Sequence, residues 1–174
     1  MSSHRCSVWR LRNELIDILE LLIECHPQGF DVLLGEVPPP APAEIHAMMN
    51  ARRSHEDAGV RTVSPTGTVE AERIVWDAEK FDAVVRKARG WAHITRVCRE
   101  HREHDPRLWA VVMDHQRFVG ASSTRHASRL GYMASRYGLA PNTITRYRRE
   151  FPEELANAIL IPPADSDDWA LMPG

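Results

Sequence analysis

The chain has 174 residues, 43% of them hydrophobic, and a formal charge of −2 from 22 basic and 24 acidic residues. That length fits one domain, or a small domain with a helical extension, and that apolar content suffices for a modest core. Cys6, Cys25 and Cys98 are odd in number and far apart, which argues against a disulfide framework and for a reducing compartment.

Residues 1–37 open with Val8, Leu11, Leu15, Ile18 and Leu22 at steps of three and four, widened by Ile16, Leu19 and Ile23. This spacing predicts one amphipathic helix ending before Pro27. Asn13, Glu14, Asp17, Glu20 and Glu24 interrupt its apolar run, so it does not read as a signal peptide, and no segment reads as a membrane span. The stripe is too short for a coiled coil. It is expected to pack into the protein's own core, with a homo-oligomeric contact as the second reading.

Residues 38–67 read as linker. Pro38 to Pro42 predicts a stiff spacer, Glu44 to Arg53 a short helix, and Ser54 to Gly67 a loop. In residues 68–119, Thr68 is a candidate N-cap and Glu70 and Glu72 suit a first turn. Ile74, Ala78, Phe81, Val85 and Ala88 then predict a long helix reaching His104 unless Gly90 interrupts it. Asp77 and Asp82 read as its surface. Asp105 and Pro106 are a cap and a first helical residue, and Leu108, Val111, Val112 and Phe118 form the apolar face of the helix they start. Gly120 to Thr124 reads as a loop in which Ser123 or Thr124 caps the next helix. No alternating strand pattern and no repeat is present. The expected fold is all-α: a helical N-terminal and middle region, a C-terminal helix-turn-helix in residues 120–160, and an acidic flexible tail in 161–174.

Charge is segregated along this order. His115 to Arg149 holds Arg117, Arg125, Arg129, Arg136, Arg146, Arg148 and Arg149 and no acid, a formal +7 that leaves −9 for the rest. Such asymmetry points to a polyanionic partner, with a solvated arginine face as the plain alternative. Within it, "MASRYGLAPNTITRYRREF" meets the demands of a helix-turn-helix. Ala134 is the small residue where two helices cross, and Gly138, four residues on, suits a turn of positive φ. Met133, Tyr137 and Leu139 supply apolar contacts, Ile144 and Tyr147 face inward from the second helix, and Pro141 fits its first position. Asn142, Thr143, Thr145, Arg146 and Arg149 should then point outward. Asn and Arg suit base edges, while Thr and the further arginines Arg148, Arg136, Arg129 and Arg125 suit phosphates. The helix N-terminus at Pro141 adds free N–H groups for a phosphate. A helical hairpin that merely folds is the alternative.

From Tyr132 to Ile159 the sequence resembles the C-terminal region of phage transcriptional regulators of the RinA and ArpU type. Met133–Ala134, Tyr137, Leu139, Thr143–Ile144 and Arg146 match that family's pattern, and the preceding layout of helices and loop is similar. The resemblance implies a helix-turn-helix like that of sigma factor region 4, followed by a short terminal helix. It also implies a double-stranded DNA partner in the cytoplasm of a bacterial host. Ala140 departs from the pattern, standing where a Ser cap is usual.

Other constellations are weaker. Cys98, His101 and His104 have a zinc-like spacing, but positions six apart on one helix lie about 120° apart, and a solvated polar face is expected. Phosphate-loop, dinucleotide, zincin and nucleophile-elbow motifs are absent, so neither catalysis nor a cofactor is expected. The stretch from Glu150 holds six acids and no Lys or Arg. Its Trp169 and Leu171 suggest a frayed end or a peptide that docks on RNA polymerase. The expected function is sequence-specific DNA binding by a phage or prophage transcriptional regulator. A small terminase subunit that selects packaging DNA is the second reading, and a protein-binding adaptor the third.

Overall fold

A computed structural model of the protein describes the backbone of residues 2–57, 74–119 and 126–161 and the side chains of residues 7–54, 74–117 and 130–161. Every regular element among them is an α-helix, as expected. The order is α1 (Ser2–Cys25), α2 (Gly29–Leu33), α3 (Pro42–Asp57), α4 (Ala78–Lys87), α5 (Trp91–His104), α6 (Pro106–Val119), α7 (His126–Tyr137) and α8 (Pro141–Leu160). No described helix is long and apolar enough to cross a membrane.

The stripe of α1 forms the middle of the core. Leu15, Ile18, Leu19, Leu22 and Ile23 of the predicted stripe are buried, joined by Leu21, while Val8, Leu11 and Ile16 are half-buried; α2, α3, α4 and α8 pack around this one helix. The expected burial in the protein's own core is met from Leu15 onward, while Trp9 near the start of the helix is exposed. α8 lies antiparallel to α1. Arg12 donates from Nη2 to Glu153 Oε1 at 2.6 Å and from Nε to Asn157 Oδ1 at 2.7 Å, while at the other end Arg148 Nη2 reaches Glu24 Oε1 at 3.3 Å.

Two polar ties hold α3 on α1. Arg52, 3% exposed, donates from Nη1 to Asp17 Oδ2 at 3.0 Å and from Nη2 to Asp17 Oδ1 at 3.3 Å. The Trp76 indole N–H donates to the same carboxylate at 2.7 Å. The indole fills part of the carboxylate's remaining capacity, as a charge pair taken out of water requires, while the buried Arg52 Nε has no hydrogen-bond partner. The second tie spans the proline spacer. His26 Nδ1 accepts the Gln28 N–H at 2.9 Å, so the ring proton sits on Nε2 and is donated to Glu44 Oε2 at 2.9 Å. Glu44 Oε1 in turn accepts the Ala41 N–H at 3.2 Å, closing the first turn of α3.

Several boundaries differ from the sequence reading. α3 outruns Glu44–Arg53 and takes in Ser54, which the sequence assigns to a loop. The long helix expected through Ile74 starts only at Ala78. Residues 74–77 are not helical, and Asp77 is the cap, its Oδ1 accepting the Lys80 N–H at 2.8 Å. Thr68, Glu70 and Glu72 lie outside the described residues. The same helix ends at Lys87, because Arg89 (φ 75°) and Gly90 (φ 89°) turn the chain through the left-handed region and the Gly90 N–H returns to the Val85 carbonyl at 2.8 Å. Apolar periodicity runs across this break because α4 and α5 bury their inner faces in one core.

Asp105 caps α6 as expected, its Oδ1 accepting the Leu108 N–H at 3.1 Å, with Pro106 as the first helical residue. Leu108, Val111 and Val112 are buried. The Phe118 side chain, the loop from Gly120 to Thr124 with its caps, and the tail beyond Ile161 lie outside the described residues. The solvated face expected for Cys98 is not found. Cys98 is 0% exposed, and desolvation pushes its thiol pKa up to about 12. His101 is half-buried and accepts the Trp109 indole N–H at 2.9 Å, while His104 is exposed. Among the described residues no group of His, Cys, Asp and Glu is placed to hold a metal ion.

Candidate nucleic-acid interface

α7 and α8 meet over a small separate cluster. Val111 from α6, Met133 from α7 and Ile144 from α8 are each at most 1% exposed, and Leu130, Ala134, Tyr137, Leu139 and Tyr147 pack around them. The apolar residues predicted to join the two helices are therefore brought together, with the half-buried Ala134 among them. Tyr147 also touches the main core and so links the two clusters.

The turn is three residues long. Gly138 has φ 65°, and a Cβ there would meet nothing within 4 Å, so the need for glycine is conformational rather than steric. The Leu139 N–H returns to the Ala134 carbonyl at 3.1 Å, closing α7. Ala140 is the N-cap of α8 and offers no side-chain hydrogen bond. Its carbonyl accepts the Thr143 N–H at 3.0 Å and the Ile144 N–H at 3.2 Å, which starts the helix without the missing Ser. Pro141 occupies the first helical position.

α6 brackets this turn through contacts the sequence reading missed. The Tyr137 hydroxyl donates to Asp114 Oδ2, and the Arg107 guanidinium donates to the Tyr137 carbonyl, one of those left open at the end of α7. Desolvation and the Asp114 carboxylate raise the Tyr137 pKa above that of an ordinary phenol. No local spacing announces these contacts, whose partners lie 23 and 30 residues apart.

Asn142, Thr145, Arg146 and Arg149 are exposed. Steps of three and four relate them, so they form one patch over the first turns of α8, opposite Ile144. The Arg149 side chain is 73% exposed, with Glu150 Oε1 at 4.0 Å. Arg146 makes no ion pair among the described residues, and its guanidinium carbon lies 5.8 Å from the Tyr147 ring centroid. The Thr145 hydroxyl donates back to the Pro141 carbonyl at 3.2 Å. Pro141 is exposed and Thr143 half-buried. On α7, Arg136 is exposed, lies over its neighbour's ring at 5.6 Å and stands 3.9 Å from Asp114 Oδ2. The side chains of Arg125 and Arg129 lie outside the described residues.

Two expectations are corrected. Arg148 does not join the outward set. Its side chain is 12% exposed, and it donates from Nε to Gln116 Oε1 at 3.1 Å as well as meeting Glu24. On α8 it stands four residues from Ile144, on the buried side. Nor is there a separate terminal helix. α8 runs 20 residues without a break, with Pro152 inside it, and Phe151, Leu155, Ala156 and Ile159 enter the main core. Phe151, beside the proline, meets Trp109 edge-on at 4.9 Å between centroids. Comparison with protein-family models, curated proteins and solved structures gives no match for the chain.

Proposed function

We propose that this protein binds double-stranded DNA in a sequence-dependent way through α7 and α8, as a regulator of phage or prophage transcription. The observation that carries the reading is the exposed patch of Asn142, Thr145, Arg146 and Arg149 on the first turns of α8. An α-helix fits the major groove, where Asn and Arg make bidentate contacts with adenine and guanine. Arg136 and the Asn142 N–H in the first turn of α8 suit the flanking phosphates. The regulatory role rests on the resemblance to the RinA and ArpU type.

The footprint is bounded. Glu150 and Glu153 follow Arg149 on exposed positions, so a duplex lying on α8 leaves it there. Arg148 stays with Glu24 and Gln116 and takes no part. Selection from a random DNA pool tests the reading. A recovered consensus should bind at least a hundredfold tighter than scrambled DNA, with affinity falling steeply as salt rises. If no sequence is enriched and no salt-dependent binding is measured, the reading fails.

A further inference from the structure

A cleft of about 470 Å³ opens between the first turn of α6, the turn after α7 and one flank of α8. Its apolar lining is Leu108, Leu139 and Tyr147. Its charged lining is ordered. Arg146, Glu150 and Glu154 follow one another at steps of four, so their β-carbons stand about 6 Å apart along one flank. Arg107 belongs to the cationic end, because its guanidinium is held at the Tyr137 carbonyl beside the turn. Asp105 lies at the α5–α6 corner, its N–H on the His101 carbonyl at 3.0 Å, and His101 Nε2 stands 3.7 Å from Glu154 Oε2. The lining thus carries two cations and three carboxylates, for a net charge of −1.

We propose that this cleft binds a small ligand with one carboxylate and two cationic groups, the chemistry of a basic α-amino acid. The carboxylate sits between Arg107 and Arg146, the α-ammonium on Glu150, and the distal cation on Glu154 and Asp105. The aliphatic stem lies over Leu139 and Tyr147. Order and spacing argue for this class. The cation, anion, anion sequence along α8 is the complement of carboxylate, ammonium, distal cation. The ligand's charge of +1 cancels that of the lining. Glu150 and Glu154 are like charges one turn apart, which is unfavourable, and their partners stand no nearer than 4.0 Å at Arg149 and 3.7 Å at His101. The volume lies within the usual range of small-molecule sites.

Arg146 lines both this cleft and the exposed patch of α8. A ligand that holds its guanidinium withdraws it from DNA, so occupancy should weaken DNA binding. That consequence rests on the DNA-binding reading, whereas the ligand site does not.

Calorimetric titration of the full chain without DNA tests the site. L-Arginine and L-lysine should bind saturably at one site per chain. L-Norleucine, L-glutamate and 1,5-diaminopentane, each lacking one of the charges, should bind at least tenfold more weakly. Glu154→Gln should weaken arginine about tenfold, as expected for a lost charge-assisted contact, with an unchanged melting temperature. Lys87→Gln, at the exposed end of α4 and away from the cleft, should leave arginine binding as it was. Absence of saturable arginine and lysine binding overturns the site, as does equal binding of norleucine or an unaffected Glu154→Gln variant. Arginine binding by a chain that binds no DNA upholds the site and removes only its consequence for DNA.

Discussion

Tyr137 donates its phenolic hydrogen to Asp114 across the α6–α7 junction, so the last residue of α7 is pinned to the helix that precedes it. Tyr137→Phe should destabilise the protein by about 1 kcal/mol, the net worth of one hydrogen bond. The folded-state pKa of Tyr137 is raised, first by desolvation and then by Asp114. Its contribution is therefore present below the unfolded phenol's pKa and lost as pH rises through the folded value. Melts between about pH 8 and pH 11 should show wild type and Tyr137→Phe converging at the alkaline end. Parallel curves would refute the assignment.

The arginines of α8 should separate by role. Arg149→Ala should leave stability nearly unchanged and reduce the salt slope of DNA binding by about one, and Arg146→Ala should cost about 1–3 kcal/mol of binding if it reads a base. Arg148→Ala should do the reverse, lowering the melting temperature while leaving the salt slope intact, because its guanidinium is committed to Glu24 and Gln116. Equal loss of DNA affinity in Arg148→Ala and Arg149→Ala, at equal stability, would contradict this division.

Gly138 offers a graded test of the turn. Open space surrounds its missing Cβ, so only the φ of 65° is at issue. Gly138→Asn should be mildest, Gly138→Ala should cost about 1–2 kcal/mol, and the β-branched Gly138→Val should cost more. Ala134→Leu acts by crowding instead, at about 1–3 kcal/mol. Denaturant melts rank the four, and an indifferent Gly138→Val would rule out a left-handed turn.

Asp17→Ala leaves the Arg52 guanidinium buried without its carboxylate and the Trp76 indole without its acceptor. The expected loss is about 3–5 kcal/mol. Restoring part of it by Asp17→Ala with Arg52→Met, which removes the stranded charge, would confirm that desolvation is the cause. A single variant within about 0.5 kcal/mol of wild type would show the pair to be solvated.

The clasp between His26 and Glu44 should make stability acid-sensitive. The Ala41 N–H, and next the His26 ring, hold the Glu44 pKa below its ordinary value of 4.5. A depressed folded-state pKa contributes stability above the unfolded value that is lost as pH falls through the folded one. The difference in melting temperature between wild type and Glu44→Gln should shrink as pH is lowered from about 5 to about 3. A constant difference over that range would remove Glu44 from the acid response.

Legibility in the sequence followed the range of each interaction. Steps of three and four located the stripe of α1, and cap and turn residues located the Asp105–Pro106 start of α6 and the Ala134, Gly138 and Pro141 frame, all of which are local matters. The break at Arg89–Gly90 was half-visible, since a glycine marks it but a shared core hides it. What could not be read was long-range. Arg148 looks like its neighbours until Glu24, 124 residues away, is brought beside it. Cys98 looks polar by the company of His101 and His104 until α5 is seen to bury that side. The continuity of α8 through Pro152 likewise goes with long-range burial of Phe151, Leu155 and Ile159, not with local propensity.

That continuity has an evolutionary consequence. One rigid rod carries the exposed patch at its tip and is rooted by Phe151, Leu155 and Ile159 among the residues of α1. A fragment cut out around the two last helices would bare that root, so the patch cannot be shuffled between proteins as a freestanding cassette. Its aim is instead inherited together with the interior. Repacking at Leu15 or Leu22 would tilt the far end of the rod, and drift in the core would redirect the tip without altering a residue there.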